Sequence, residues 1–97
     1  MKAVFIVYNQ AVTERVAYML DKLGIKGYTQ WGTVNGVGSN GGEPRMGIHA
    51  WPEMNSAIMT VVDDRLVPLL LKYVEKLDKV NVENGVRAFV WDVVGGY

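Results

Sequence analysis

Cysteine is absent from the 97 residues, which excludes disulfides and any thiolate metal site and leaves a cytoplasmic address as the default expectation. Histidine occurs once, at position 49, and no Ser, Thr or Cys stands in a recognisable nucleophile signature beside it, so the chain is expected not to be an enzyme. No apolar run approaches the length that a membrane-spanning helix needs. The opening run AVFIVY stops at Asn9-Gln10, too short for a secretory segment and with no small-residue cleavage site behind it. Ten basic residues balance ten acidic ones. That removes the basic field expected of a protein binding nucleic acid directly.

What is present is apolar and regularly spaced. Nearly half of the residues are hydrophobic, enough for a single domain over residues 1–97 with an adequate core. Residues 2–8 are apolar on both alternating faces, Ala3, Phe5 and Val7 against Val4, Ile6 and Tyr8, the pattern of a strand covered on both sides. From Ala11 to Leu23 the residues Val12, Val16, Met19, Leu20 and Leu23 recur at helical spacing, with Gly24 placed to end the helix. Residues 27–37 read as a second strand, in which Gly32 suggests a bulge or a close approach by another backbone. Asn55 to Val62 reads as a third strand. Asp63-Asp64 then reads as the cap of a helix from Arg65 to about Leu77, with Pro68 tolerable only near its first turn. Asn84-Gly85 marks a turn before a last strand, Val86 to Val94.

The order βαββαβ is that of the ferredoxin-like α+β fold, a four-stranded antiparallel sheet with both helices on one face. Two helices cover only one face, yet at least three strands are apolar on both. An uncovered apolar face of that size exceeds what monomers usually carry, so self-association into a closed ring is expected. A sheet-face RNA binder would need exposed aromatics and a basic field, and neither is evident in the sequence. The turn after the first strand offers no arginine for an acylphosphatase, and no CxxC serves a metal chaperone.

More than half of the glycines, two of the three prolines and the only histidine fall between Gly32 and Pro52. A loop over about 35–52, held between regular elements, is where binding residues usually sit. Its cluster Gly36-Val37-Gly38-Ser39-Asn40-Gly41-Gly42 could let backbone N–H groups wrap an anion, or could simply be a hairpin tip. No Lys-Ser or Lys-Thr follows, and no helix opens behind it, so it is neither a P-loop nor a dinucleotide fingerprint. His49 with Glu43 and Glu53 could hold a divalent metal, though one histidine is not a ligand set. Trp31 and Trp91 are expected in the core or at a subunit interface. Arg87 could meet a phosphate bidentately or be an ordinary strand charge. Asp63-Asp64 reads as a cap, not as a catalytic pair.

The segments MKAVFIVYNQ, TERVAYMLDKLGIKGYT, the turn Val34-Asn35-Gly36-Val37-Gly38, WPEMNSAIMTVVDDRLV and GVRAFVWDVV together resemble PII signalling proteins and their PII-like relatives, across nearly the whole chain. The resemblance implies a ferredoxin-like homotrimer whose sheets face one another, with ATP or ADP, or a similar anion, sensed in intersubunit clefts. It also implies a central loop that docks on a regulatory target such as a membrane transporter, in the setting of nitrogen regulation. Carried over by position, Gly36, Val37 and Gly38 approach the nucleotide, and Ser39 and Asn40 follow as polar phosphate contacts. Val7, Thr29 and Val61 line the adenine pocket. Gly85 belongs to the late turn, and Arg87 stands where the family has a phosphate-binding lysine. The family's glycine-rich late turn is reduced here to VENGVR, Met59 replaces an acidic adenine contact, and Glu53 occupies a position usually basic. Divalent-cation tolerance proteins of the same architecture supply the alternative, a metal held by His49, Glu43 and Glu53.

Overall fold

Alternation along the first strand decides the layering. In the computed structural model, which describes residues 1–37 and 54–97, strand β1 spans Lys2–Asn9. Its even positions Val4, Ile6 and Tyr8 are fully buried and face the helices. Strands β2 (Thr29–Val34), β3 (Asn55–Val62) and β4 (Arg87–Asp92) complete an antiparallel sheet in the order β2-β3-β1-β4. β1 is central, and β2 and β4 are edges. The expected ferredoxin-like order is therefore observed.

Helix α1 runs over Thr13–Lys22 and α2 over Val67–Val80. Each is preceded by a 3-10 turn, Gln10–Val12 and Asp64–Leu66, where the apolar spacing alone predicts continuous helix. The Asn9 side chain caps the first by accepting from Ala11 N at 2.9 Å, and Asp63 caps the second by accepting from Arg65 N at 3.2 Å. Pro68 falls in the first turn of α2, where its missing N–H removes no helical bond. At the far end of α1, Gly24 takes a φ of 73°. Gly24 N donates to Asp21 O at 3.0 Å and Ile25 N to Leu20 O at 2.9 Å, the paired bonds of a Schellman ending. Val16, Met19 and Leu20 of α1 and Leu70 and Val74 of α2 close on Val4, Ile6, Ile58 and Val62 of the sheet.

β2 is shorter than the expected 27–37, and its pairing with β3 shifts register between Trp31 and Val34. That irregularity brackets Gly32, in keeping with the bulge its position suggests. Gly32 O accepts from Ser56 Oγ at 2.6 Å and Gln10 Nε2 at 2.9 Å, so side chains satisfy the carbonyl at the irregularity.

The other sheet face carries Ala3, Phe5 and Val7 of β1, Ala57, Met59 and Val61 of β3, Trp31 of β2, and Phe89 and Trp91 of β4, by register. Phe5 and Trp31 meet edge to face, ring centroids 6.2 Å apart. This face is uncovered: Trp31 is 43% exposed, Trp91 47%, Val61 48% and Phe89 58%, against 0% for Val4 and Ile6. Trp31 and Trp91 thus lie outside the core, because alternation puts odd positions of β1 and their cross-strand partners away from the helices.

Candidate ligand-binding site

Three connections converge at one end of the sheet: the exit of β1, the segment joining β2 to β3, and the turn from α2 into β4. Asn9 and Gln10 bind them together. Asn9 Nδ2 donates to Glu83 O at 3.1 Å, reaching the late turn. Gln10 N donates to Met54 O at 2.8 Å, and its Nε2 donates to Gly32 O and Thr33 Oγ1, both at 2.9 Å. Two adjacent polar residues therefore fix both flanks of the end from which the glycine-rich segment departs. In the sequence they read only as a strand break with capping potential; their reach across two loops has no local sequence signal.

Gly36 sits against Asn55, the first residue of β3. A Cβ at position 36 would fall on the Asn55 side-chain amide, with its Cγ only 3.3 Å away. Gly36 is not among the positive-φ glycines, so what requires glycine there is close approach rather than backbone conformation.

The late turn is held by side chains. Asn81 Oδ1 accepts from Glu83 N at 2.9 Å, and Asn84 Nδ2 donates to Leu77 O at 2.7 Å. Asp78 Oδ1 accepts from Val86 N at 3.0 Å. Gly85 supplies the left-handed φ of 53° that lets the chain re-enter the sheet. Arg87 follows immediately, opposite Val7 in the register. Because β4 is an edge, its side chain can turn toward α2, where Nη1 lies 2.7 Å from Asp78 Oδ2 and donates to Val86 O at 2.9 Å.

Not all expected site residues gather here. Val7, Gly36, Gly85 and Arg87 belong to this end. Val61 pairs with Ala3 and Thr29 with Met59, which places Val61 four residues along β3 from Ala57, the partner of Val7, about 13 Å away. Val7 and Val61 therefore line no common pocket within one chain. Val37 is 62% exposed where the described chain leaves β2. Gly38, Ser39, Asn40, Glu43, His49 and Glu53 lie outside the described residues. Among the described residues no three potential metal ligands gather. Two concavities among the described residues lie between the helices, around Tyr18, Tyr73 and Leu77.

The family model for "Nitrogen regulatory protein P-II" matches residues 1–94. The chain belongs to that family. It is accordingly a PII-like regulatory protein. Curated protein sequences provide no match to this P-II family member. Among solved structures it is similar to CPII, a nitrogen regulatory PII-like protein from Thiomonas intermedia K12. In a complex of CPII with ADP, AMP and bicarbonate the identity is 28%, over 95% of this chain and 84% of that one, with a TM-score of 0.77. A complex with ADP and bicarbonate gives 28% identity, the same coverage and 0.76. A PII-like signaling protein from Thermus thermophilus, TTHA0516, is 26% identical over 95% of this chain and 85% of that one, with a TM-score of 0.68. Among the described residues no helix is long and apolar enough to cross a membrane.

Proposed function

We propose that this P-II family member senses an adenine nucleotide or a similar small anion in clefts between copies of itself, assembled as a homotrimer through the open sheet faces. The observation that carries this reading is the division of the expected site along the sheet. Val7, Gly36, Gly85 and Arg87 stand at one end and Val61 toward the other, on a face whose apolar side chains a second copy would cover. Stacking sheets from neighbouring copies would bring one chain's phosphate-facing end beside another chain's adenine-facing end. Gly36 and Gly38 would approach the ligand by backbone, Val37 beside them. Ser39 and Asn40 would contact phosphate, Val7, Thr29 and Val61 would flank the base, and Arg87 would hold the anion. ADP, AMP and bicarbonate in CPII support this ligand class. The segment between β2 and β3 would act on a target protein.

A thermal-shift series with AMP, ADP and ATP tests the ligand class. Binding to the native state alone raises Tm by mass action, by an amount set by ligand concentration over Kd. No shift at millimolar nucleotide would remove adenine nucleotides from the reading.

A further inference from the structure

Arg87 does not stand alone at the end of β4. Its Nη1 is used twice, toward Val86 O at 2.9 Å and toward Asp78 Oδ2 at 2.7 Å. Asp78 is the less exposed partner, with 25% side-chain exposure against 55% for Arg87, and its other oxygen is tied to Val86 N at 3.0 Å. The carboxylate is thus anchored to the turn on one side and grips the guanidinium on the other. The turn itself is braced by Asn81 and Asn84. A planar guanidinium has five N–H donors in a fixed fork, and the Nε/Nη2 edge is one that meets an oxyanion with two parallel bonds. Among the described residues the group is held by Nη1 alone, and that edge meets none of them.

We infer that Asp78 is a positioning residue for Arg87, presenting its Nε/Nη2 edge to an oxyanion and offsetting its charge so that the cleft favours ligands of low negative charge. The inference rests on the reading of Arg87 as the anion contact. A lone guanidinium gains Coulomb attraction with every charge the ligand adds. A carboxylate fixed 2.7 Å from it opposes that gain, and the opposition grows with the ligand's charge. The pair retains the directional hydrogen bonds of an arginine and loses much of its long-range field. Such a site lets a phosphate monoester or a small monoanion compete with a polyphosphate, which a bare cation would favour by charge.

The test is a set of calorimetric titrations with AMP, ADP and ATP, without divalent cations, on the full-length protein. Wild type is compared with Asp78→Asn, Asp78→Glu and Arg87→Gln, each verified folded by circular dichroism and unchanged in assembly by sedimentation. Asp78→Asn keeps an oxygen for Val86 N and removes the charge. It is expected to raise the ATP:AMP affinity ratio by about four- to tenfold, roughly two- to threefold for each added ligand charge in screened solvent. Asp78→Glu restores the charge and should stay near the wild-type ratio. Should Asp78→Asn not fold, Asp78→Ser keeps an acceptor without the carboxylate and serves the same comparison. A merely structural role would weaken all three nucleotides alike and leave the ratio untouched. If Arg87→Gln weakens all nucleotides while Asp78→Asn leaves the ratio at its wild-type value, the role of Asp78 is overturned and the ligand reading stands. If Arg87→Gln changes nothing, or wild type binds no nucleotide, both fall together.

Discussion

At the scale of single residues, two glycines are required for different physical reasons. Gly36→Ala drives a methyl into the Asn55 side chain, which is buried at 9% exposure. Since a side-chain end rather than backbone must yield, the cost belongs at the low end for overpacking, about 1 kcal/mol, measured as a lower urea midpoint. Gly85→Ala imposes a left-handed φ of 53° on a residue with a Cβ, worth roughly 1–2 kcal/mol, and should also displace Arg87. The first effect disappears if Asn55 is shortened to Ala alongside; the second does not. Charge at the chain start gives a further outcome. The α-amino group and Lys2 hold the Asp64 carboxyl below its ordinary 3.8. Such a depressed acid contributes stability above its unfolded pKa and loses it as pH falls through the folded one. Lys2, raised above 10.5 chiefly by its hydrogen bond to Asp92, contributes below that value and loses its share as pH rises past it. Both groups are solvent-exposed, so the effects are small and salt-screened. Asp64→Asn should flatten the decline of Tm in acid, and a profile unaltered by that substitution would remove the pair from the acid transition.

At the scale of elements, Asn9 and Gln10 join what the chain keeps far apart. Asn9→Ala removes the cap on the first 3-10 turn and the bond to Glu83 O, a loss of about 1–2 kcal/mol. Amide exchange should accelerate both after β1 and in the 82–84 turn; acceleration confined to one of them would refute the coupling. Strand β3 is legible from sequence to its ends, because a β-rich run apolar on both faces, Ala57 to Val62, follows Asn55-Ser56 and Asp63 closes it. The end of α1 is legible because Gly24 follows the capping Leu23 and Ile25 completes the motif. The 3-10 turns before both helices are not, since their apolar residues keep helical spacing while the hydrogen bonds shorten from four residues to three. β2 reads too long because its flanks carry strand-forming residues, while its actual length is set by where β3 ceases to pair with it. Within the candidate site, Gly36, Gly85 and Arg87 stand out in the sequence as a glycine turn and a cation after a turn. Asp78 is not, because its partner lies across a turn and nine residues on, and nothing in its own neighbourhood separates it from the other charges of α2.

At the scale of the whole molecule, the decisive feature is a sheet finished on one side only. Ala3 and Ala57 are buried on the open face, yet Trp31, Val61, Phe89 and Trp91 remain about half exposed. A charge on that open face should oppose covering by another copy while leaving the helix-facing core intact. Wild type is expected to sediment as a trimer and Phe89→Lys as a folded monomer, and a wild-type monomer would undo the burial argument. The most direct measurement is a calorimetric titration of ADP into wild type and into Phe89→Lys. ADP is expected to bind the wild-type assembly and to give no heat of binding with the folded monomeric variant, since the cleft would need two chains. Binding of ADP to that monomer with wild-type affinity would contradict a site shared between copies.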